Sequence, residues 1–520
     1  MSQDALIPLR FPCGQGGMNR SKNFTAFPET DLPMSEGITT EGNTWRKEGG
    51  ASKLNSVSLG TVTVRGHHDF WSGANPSVHE DIAALSDGRI VALDENGALT
   101  KVLKTGFGDG FPVFAEGWDG STKALYIANG VSQIQVYTGG SGTSDIANPN
   151  PDWNALNGYP TGLFLHRARM FAYGYRARPH DVFGSLATDH GNYSNVEAFR
   201  QEVGPGVGDS IRAGFSWREK AYFLKSPVGL YMLEDSDPNI ASWSIPKISE
   251  AIGTAGPGCC VSVDDDVLII GQDAMFYSLN RVPNQGEQSA TPVLPLETSD
   301  FVREELNTDR LDLVQMVWYA NKRQVHIAAP AIGSTVNNRR IIGDLQSGQR
   351  IQIHYSRRDV CSAMSLRRAT RTSVLRPVIG DASGFLWALD QAARSKDGQG
   401  YRGQFETAPR TFFDGGLRRG NVAALEVVFA QLGNYDLNVE IHLDGKLSQT
   451  LTFSQQSAGG AVGSVSFDGD VLGGTTLANR RRKAGGNGTR AKLIGYNTIA
   501  GQDFSVQDLL LLHTPGNSRK

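Results

Sequence analysis

The sequence predicts an all-β protein: β-propeller-like repeated blades, preceded by an extended N-terminal arm and followed by a C-terminal β-sandwich. Three observations carry this. Gly makes up 61 of 520 residues with no Gly-X-Y period, and because Gly takes positive φ without strain, the chain is rich in tight turns. Short stretches of apolar alternation, bounded by those turns, recur along most of the chain. Caps and spacings of long helices are scarce. At 39% hydrophobic residues, the composition is that of a folded protein.

Residues 1–75 read as an extended arm and docking segment. LIPLRF is its one compact apolar stretch, and the segment GGMNRSKNFTAFPETDLPMSEGITTEGNTWRKEGG lacks the continuous periodicity needed for a core. Such an arm is expected to lie over the main body or to reach a neighbouring subunit.

Residues 76–399 read as the propeller-like body. A strand, a Gly- or Asp-bearing turn and a second strand recur every 40–55 residues, as in HEDIAALSDGRIVALDENGALTKV and GWDGSTKALYIANGVSQIQVYTG. Ser86-Asp87-Gly88 and Asn96-Gly97 are hairpin turns flanking the strand at Ile90 and Ala92. The period is that of a four-stranded blade. A blade cannot bury its apolar faces alone, and a ring leaves no terminal face exposed. The Trp-Asp and Gly-His signatures are absent apart from an isolated Trp118-Asp119, so a sandwich array or an irregular solenoid stays open. NTDRLDLVQMVWYANK is expected to start as a short helix and continue as a strand.

Residues 400–520 read as a separate β-sandwich with a Gly-rich basic loop. Leu425, Val427 and Phe429, then Leu437, Val439, Ile441 and Leu443, alternate at strand period, and Asp444-Gly445 turns into KLSQTLTF. The loop at 455–490 ends in ANRRRKAGGNG.

Composition narrows the function classes. The formal charge of -3 and pI near 6.4 argue against attraction of the whole chain to nucleic acid. Cys13, Cys259, Cys260 and Cys361 are too few and too irregular for a disulfide framework; free, mostly buried thiols are expected. The start MSQDALIPLRFPCGQGG has no secretory apolar run, and no stretch reaches bilayer-spanning length, so synthesis in the cytoplasm and no membrane span are expected. The triplets at Asn23, Asn192 and Asn487 are then chance glycosylation matches.

Chemistry-bearing clusters compete with plainer roles. His67, His68 and Asp69, with His79 nearby, are the densest metal-capable group, but adjacent histidines on a strand point to opposite faces, and polar surface or interface residues are the reading adopted. Asp264, Asp265 and Asp266 lack the central Gly and alternating spacing of a calcium loop and read as a hairpin turn. No phosphate loop, nucleophile elbow or zinc-protease motif is present. The expectation is no enzyme, no catalytic residues, no cofactor and no metal. Two basic patches remain as interface or channel residues: Arg357, Arg358, Arg367, Arg368, Arg371 and Arg376 in one blade, and Arg480, Arg481, Arg482 and Lys483 at the end of the glycine loop.

The stretch IPLRFPCGQGGMNRSKN, followed by FPETDLPMSEGITTEGNTWRKEGGASKLN, resembles the structural tail proteins of tailed bacteriophages. In particular it looks like the tail nozzle (tail hub, tail tubular) proteins of short-tailed phages. The motifs are Gly16-Gly17, Asn23, the acidic stretch Glu29–Asp31, Asn43 and the Arg46–Gly50 turn. The chain is shorter than the longer nozzles. The resemblance implies a virion structural protein in the viral tail: a hexameric homo-oligomeric ring that continues the DNA exit channel and serves virus assembly and DNA ejection. Its implied partners are a portal or adaptor protein, tail fibre or spike proteins, and genomic DNA in transient passage. The alternative from the residues is a glycan-binding or glycan-cleaving β-propeller in host-surface recognition, with Trp71, Trp118, Trp217, Trp318 and Trp387 as stacking candidates.

Overall fold

The computed structural model describes residues 6–516 except 15, 20–27, 42–43, 74–77, 205–209, 282–292, 294–301, 346–350, 357–358, 371, 414–415, 417, 431–434 and 456–476. Within it the recurring segments fold as seven antiparallel blades, the sixth of them continuous with a larger sheet. Blade 1 runs Val64–Trp71, His79–Leu85, Ile90–Leu93 and Leu99–Lys104. Blades 2, 3 and 4 are four-stranded over 113–145, 162–202 and 211–249, and blade 5 has three described strands over 260–278. Blade 6 covers 315–356 and blade 7 covers 363–391. The first five inner strands begin at Val64, Val113, Gly162, Ile211 and Cys260, a constant step of 49 residues.

The turns behave as their residues dictate. Gly88 and Gly97 sit at φ +79° and +78°, where L side chains are strained, and a Cβ on Gly97 would lie 1.9 Å from the Leu54 carbonyl oxygen. Asp264–Asp265 is the hairpin turn between Cys260–Val263 and Asp266–Ile270, with Asp264 left-handed. The short helix expected before Gln315 is a 3₁₀ turn over Thr308–Leu313, capped by the Asn307 side chain on the Asp309 amide.

The blades close into a ring because each face finds a neighbour. Separate apolar cores lie between blades 1 and 2 (Phe70, Ile82, Leu125, Tyr137), 2 and 3 (Tyr126, Met170), 3 and 4 (Phe171, Phe223), and 4 and 5 (Leu224, Ile269). Others lie between 5 and 6 (Phe276, Ile327), 6 and 7 (Ala328, Ile379), and 7 and 1 (Val378, Val91). Burial on both faces explains why every residue of His79–Leu85 is buried. The alternation expected of half-exposed strands is lost wherever a blade is sandwiched between two others.

The N-terminal segment has no core of its own and runs over both bodies as a series of donated strands. Ile7–Pro12 pairs antiparallel with Asp508–Pro515 in the sandwich. Met34–Glu36 pairs with Gly403–Glu406 and, in parallel, with Gln352–Ser356 of blade 6, so one sheet runs from propeller to sandwich. Gly50–Lys53 supplies the outer strand of blade 7, where a Cβ on Gly50 would come within 1.7 Å of the Ala393 carbonyl oxygen. The propeller therefore starts at Val64, ahead of the expected boundary at 76. Val64–Trp71 has a partner, His79–Leu85, that only the folded sheet supplies.

The sandwich core gathers Leu9, Phe11 and Trp45 from the N-terminal segment with Phe405, Leu425, Val427, Phe429, Val439, Ile441 and Leu511. Asp508–Pro515, which carries the LLLLH run, lies between Ile7–Pro12 and Gly420–Ala430. Asp444-Gly445 forms the expected hairpin, both residues at positive φ as a tight hairpin turn requires. No helix among the described residues is long and apolar enough to cross a membrane.

Candidate functional site

Three places concentrate polar side chains: the propeller channel, the joint between the two bodies, and one edge of the sandwich. The inner strands of blades 1, 2, 5, 6 and 7 line a channel cavity of about 600 Å³ whose wall includes His67, His68, Asp69, Trp71, Phe114 and Glu116. As the strand period requires, His67 and His68 diverge. His67 Nδ1 meets Ser365 Oγ of blade 7 at 2.6 Å and its Nε2 meets Asp81 at 3.0 Å. His68 stacks on Phe114 and contacts Glu116 at 3.2 Å, which in turn holds Lys123 at 2.7 Å.

Asp69, His79 and Asp81 converge closely enough for their ligand atoms to surround one ion. Each is already engaged. His79 bonds Asp69 at 2.5 Å and stacks on Trp71, with ring centroids 4.4 Å apart. Asp69 also accepts the Arg368 amide at 2.9 Å. Asp81 takes Arg367 Nε at 2.8 Å in addition to His67. Burial opposes the charge on Asp81, yet the His67 hydrogen bond and the charges of His67 and Arg367 outweigh it and hold the carboxyl below its usual range. The group joins blade 1 to blade 7 at the closing seam.

Arg367 is thus a seam residue, buried with Asp81 and donating to the Glu95 carbonyl at 2.8 Å, and is not part of an open patch. A carboxylate 286 positions away leaves no local sequence signal. Arg368 and Arg376 are exposed, while Arg357, Arg358 and Arg371 lie outside the described residues. Of the stacking candidates, Trp71 faces the channel, Trp118 is half exposed, Trp217 lies under the Arg218 guanidinium, Trp318 packs beside the core of blades 5 and 6, and Trp387 is buried in that of blades 6 and 7.

The joint between propeller and sandwich was invisible in the sequence. Arg340 of blade 6 is fully buried and bonds both Glu48 of the N-terminal segment and, at 2.7 Å, Asp359. Lys322 bridges Glu41 and Asp390, each at 2.7 Å. Arg46 joins Glu41 and Asp503, and Arg394 reaches Asp503 at 3.0 Å. Burial works against the Glu41 charge, but Lys322 and Arg46 keep its carboxyl below the usual range. Beside them His354, buried between Ser35 Oγ at 3.0 Å and Thr40 Oγ1 at 3.2 Å, is pushed down to about 4 by burial. All four cysteines are free; burial pushes Cys259 up to about 11 and raises Cys13, Cys260 and Cys361 as well. Raised thiols are poor nucleophiles and read as packing groups.

At the sandwich edge, Arg480, Arg481, Arg482 and Lys483 are all exposed on Leu477–Lys483, the last described strand of its sheet. The end of the expected 455–490 loop is thus a paired strand, with 456–476 outside the described residues, and these four are exposed as Arg368 and Arg376 are.

Fold and surfaces together define a two-body all-β scaffold: a closed seven-bladed propeller locked to a sandwich by one threaded segment. No family model matches the chain, and no curated protein is similar to it. The solved structures that resemble it in outline include crystal structures of BBS1N in complex with ARL6DN soaked with mercury and with lead. Identity is 11% and 12%, coverage 66% and 68% of this chain and 95% and 97% of theirs, with TM-scores of 0.40 and 0.42. A likeness that loose carries no argument, and the propeller stands on its strand pairing and inter-blade cores.

Proposed function

We propose that this chain is a structural assembly subunit, a virion tail protein forming a hexameric nozzle or neck ring in a short-tailed bacteriophage. On this reading it continues the DNA exit channel and docks a portal or adaptor protein and tail fibres or spikes. The observation that carries the reading is the threaded N-terminal segment, which donates strands to both bodies and is pinned to the propeller by the buried Arg340–Glu48–Asp359 group and the half-buried Lys322–Glu41–Asp390 group. Two domains that only need to fold gain nothing from so rigid a joint, since inter-domain motion is the usual outcome of small polar interfaces. A part that holds neighbours at a set distance does. A ring of such parts has cyclic symmetry and heterologous contacts.

Electron microscopy of the purified chain and of the particle that carries it tests the proposal. Six copies around a channel on the virion axis are expected; a monomer in solution that is also absent from the tail overturns it.

The channel cavity supports a second reading, a glycan-binding propeller, because Trp71 and Phe114 share its wall with Asp69 and Glu116. Saturable binding of host-surface polysaccharide, lost in Trp71→Ala, would favour it over the assembly role.

A further inference from the structure

The sandwich edge carries more charge than folding asks of it. Across the Gly420–Ala430 pairing, Arg482 stands opposite Leu425 and Arg480 opposite Val427, on the side whose other members fill the core, while Arg481 and Lys483 stand opposite Glu426 and Ala424 on the other side. The strand is cationic on both faces, and none of the four side chains makes an ion pair with a described residue. Glu426, opposite Arg481 in the register, accepts the Asn479 amide. No described strand pairs with the outer side of Leu477–Lys483. From Lys483 the chain continues along the same neighbour (Asn487 opposite Asn421) to Thr489 and Arg490, which with Arg419 line a concavity of about 590 Å³. Arg418 is exposed beside it.

We infer that this edge, Arg480 to Lys483 leading to the Arg419–Arg490 concavity, is a docking surface for the phosphate backbone of nucleic acid. Residues two apart on one face of a strand are separated by about 6.8 Å, so the four cations form two short rows flanking a backbone edge that no described strand pairs with. A flat acidic protein patch meets one row. A phosphodiester chain lying along the edge is within reach of both, with phosphates for the guanidinium groups and no demand for a base contact. The inference goes beyond the assembly reading and does not depend on copy number. An edge strand can also carry charge simply to prevent aggregation, and the test separates these roles.

The experiment is fluorescence anisotropy of labelled 30-nucleotide single-stranded and 30-base-pair duplex DNA with the full chain between 50 and 200 mM salt. Neutralising four phosphates gives a log–log salt slope near -3.6 on duplex, so affinity should fall about 150-fold across that range. The quadruple variant Arg480→Ser, Arg481→Ser, Arg482→Ser, Lys483→Ser should lose most of that slope, and Arg368→Ser with Arg376→Ser should leave it unchanged. The altered side chains are exposed, and unchanged circular dichroism verifies folding. Three results overturn the inference: no DNA binding at 50 mM, binding indifferent to the quadruple variant, or equal displacement by a polyglutamate peptide, which would assign the edge to an acidic protein. Light scattering on the same sample reports copy number, so the ring can fail while the binding surface stands.

Discussion

Breaking the closing seam at Asp81 should cost the propeller more than any exposed substitution of the same size. Asp81 and Arg367 are both buried, 2.8 Å apart, and belong to blades 1 and 7. Asp81→Asn leaves the Arg367 guanidinium buried without its counter-charge and weakens the His67 bond in the same step. Removing one partner of a buried pair costs about 3–5 kcal/mol. At about 2.1 cal/mol/K per residue, the stretch 64–391 unfolds with roughly 0.7 kcal/mol/K, so the melting temperature should drop by about 4–7 °C. Scanning calorimetry reads this, with the sandwich transition as internal reference if the two bodies melt separately. Asp81→Asn combined with Arg367→Gln should recover at least half of the loss, because no buried charge is left unpaired. A drop below about 1 °C in the single variant, or no recovery in the double, would refute the claim that this pair holds the ring shut.

The joint and the cores give further expectations. His354 titrates in the folded protein near 4 against about 6.5 unfolded. The unfolded chain therefore binds more protons between those values, and stability is full above pH 6.5 and falls toward pH 4, by about 3 kcal/mol in all. His166, His190 and His513 are lowered by burial in the same sense, so denaturant melts at pH 7 and 4.5 should show the pH loss reduced, not abolished, in His354→Gln. Gly50→Val must displace the Ala393 carbonyl and should detach the outer strand of blade 7, raising amide exchange in Trp387–Gln391 while the sandwich stays protected. Trp45→Ala empties a site packed on Phe405, with centroids 5.0 Å apart, and should cost about 3–5 kcal/mol in the sandwich transition.

Much of the architecture was legible from local pattern. The turns at Gly88, Gly97 and Gly445 announced themselves because positive φ is a property of one residue and its neighbours. The sandwich strands were legible because one face is wet, and Asp436–Leu443 alternates in burial along its length. The middle strands of the blades were blurred for the opposite reason. The candidate residues fared unevenly: Arg480 to Lys483 stay in the open, whereas Arg367 disappears into the seam because its partner lies in another blade.

By itself, the sequence determined that this chain is built from short paired strands recurring at blade period, with a different β unit at its end and too little apolar continuity at its start for a third core. Those are consequences of residue type and spacing over a few turns of chain. Only the tertiary structure decided that the N-terminal segment closes blade 7 at Gly50–Lys53, that Ile7–Pro12 is a strand of the sandwich, and that Arg340, Glu48 and Asp359 pin that segment to the propeller. These contacts join residues tens to hundreds of positions apart. Buried charge and backbone polar groups are tolerated there only because a specific distant partner pairs with them, which no local pattern encodes.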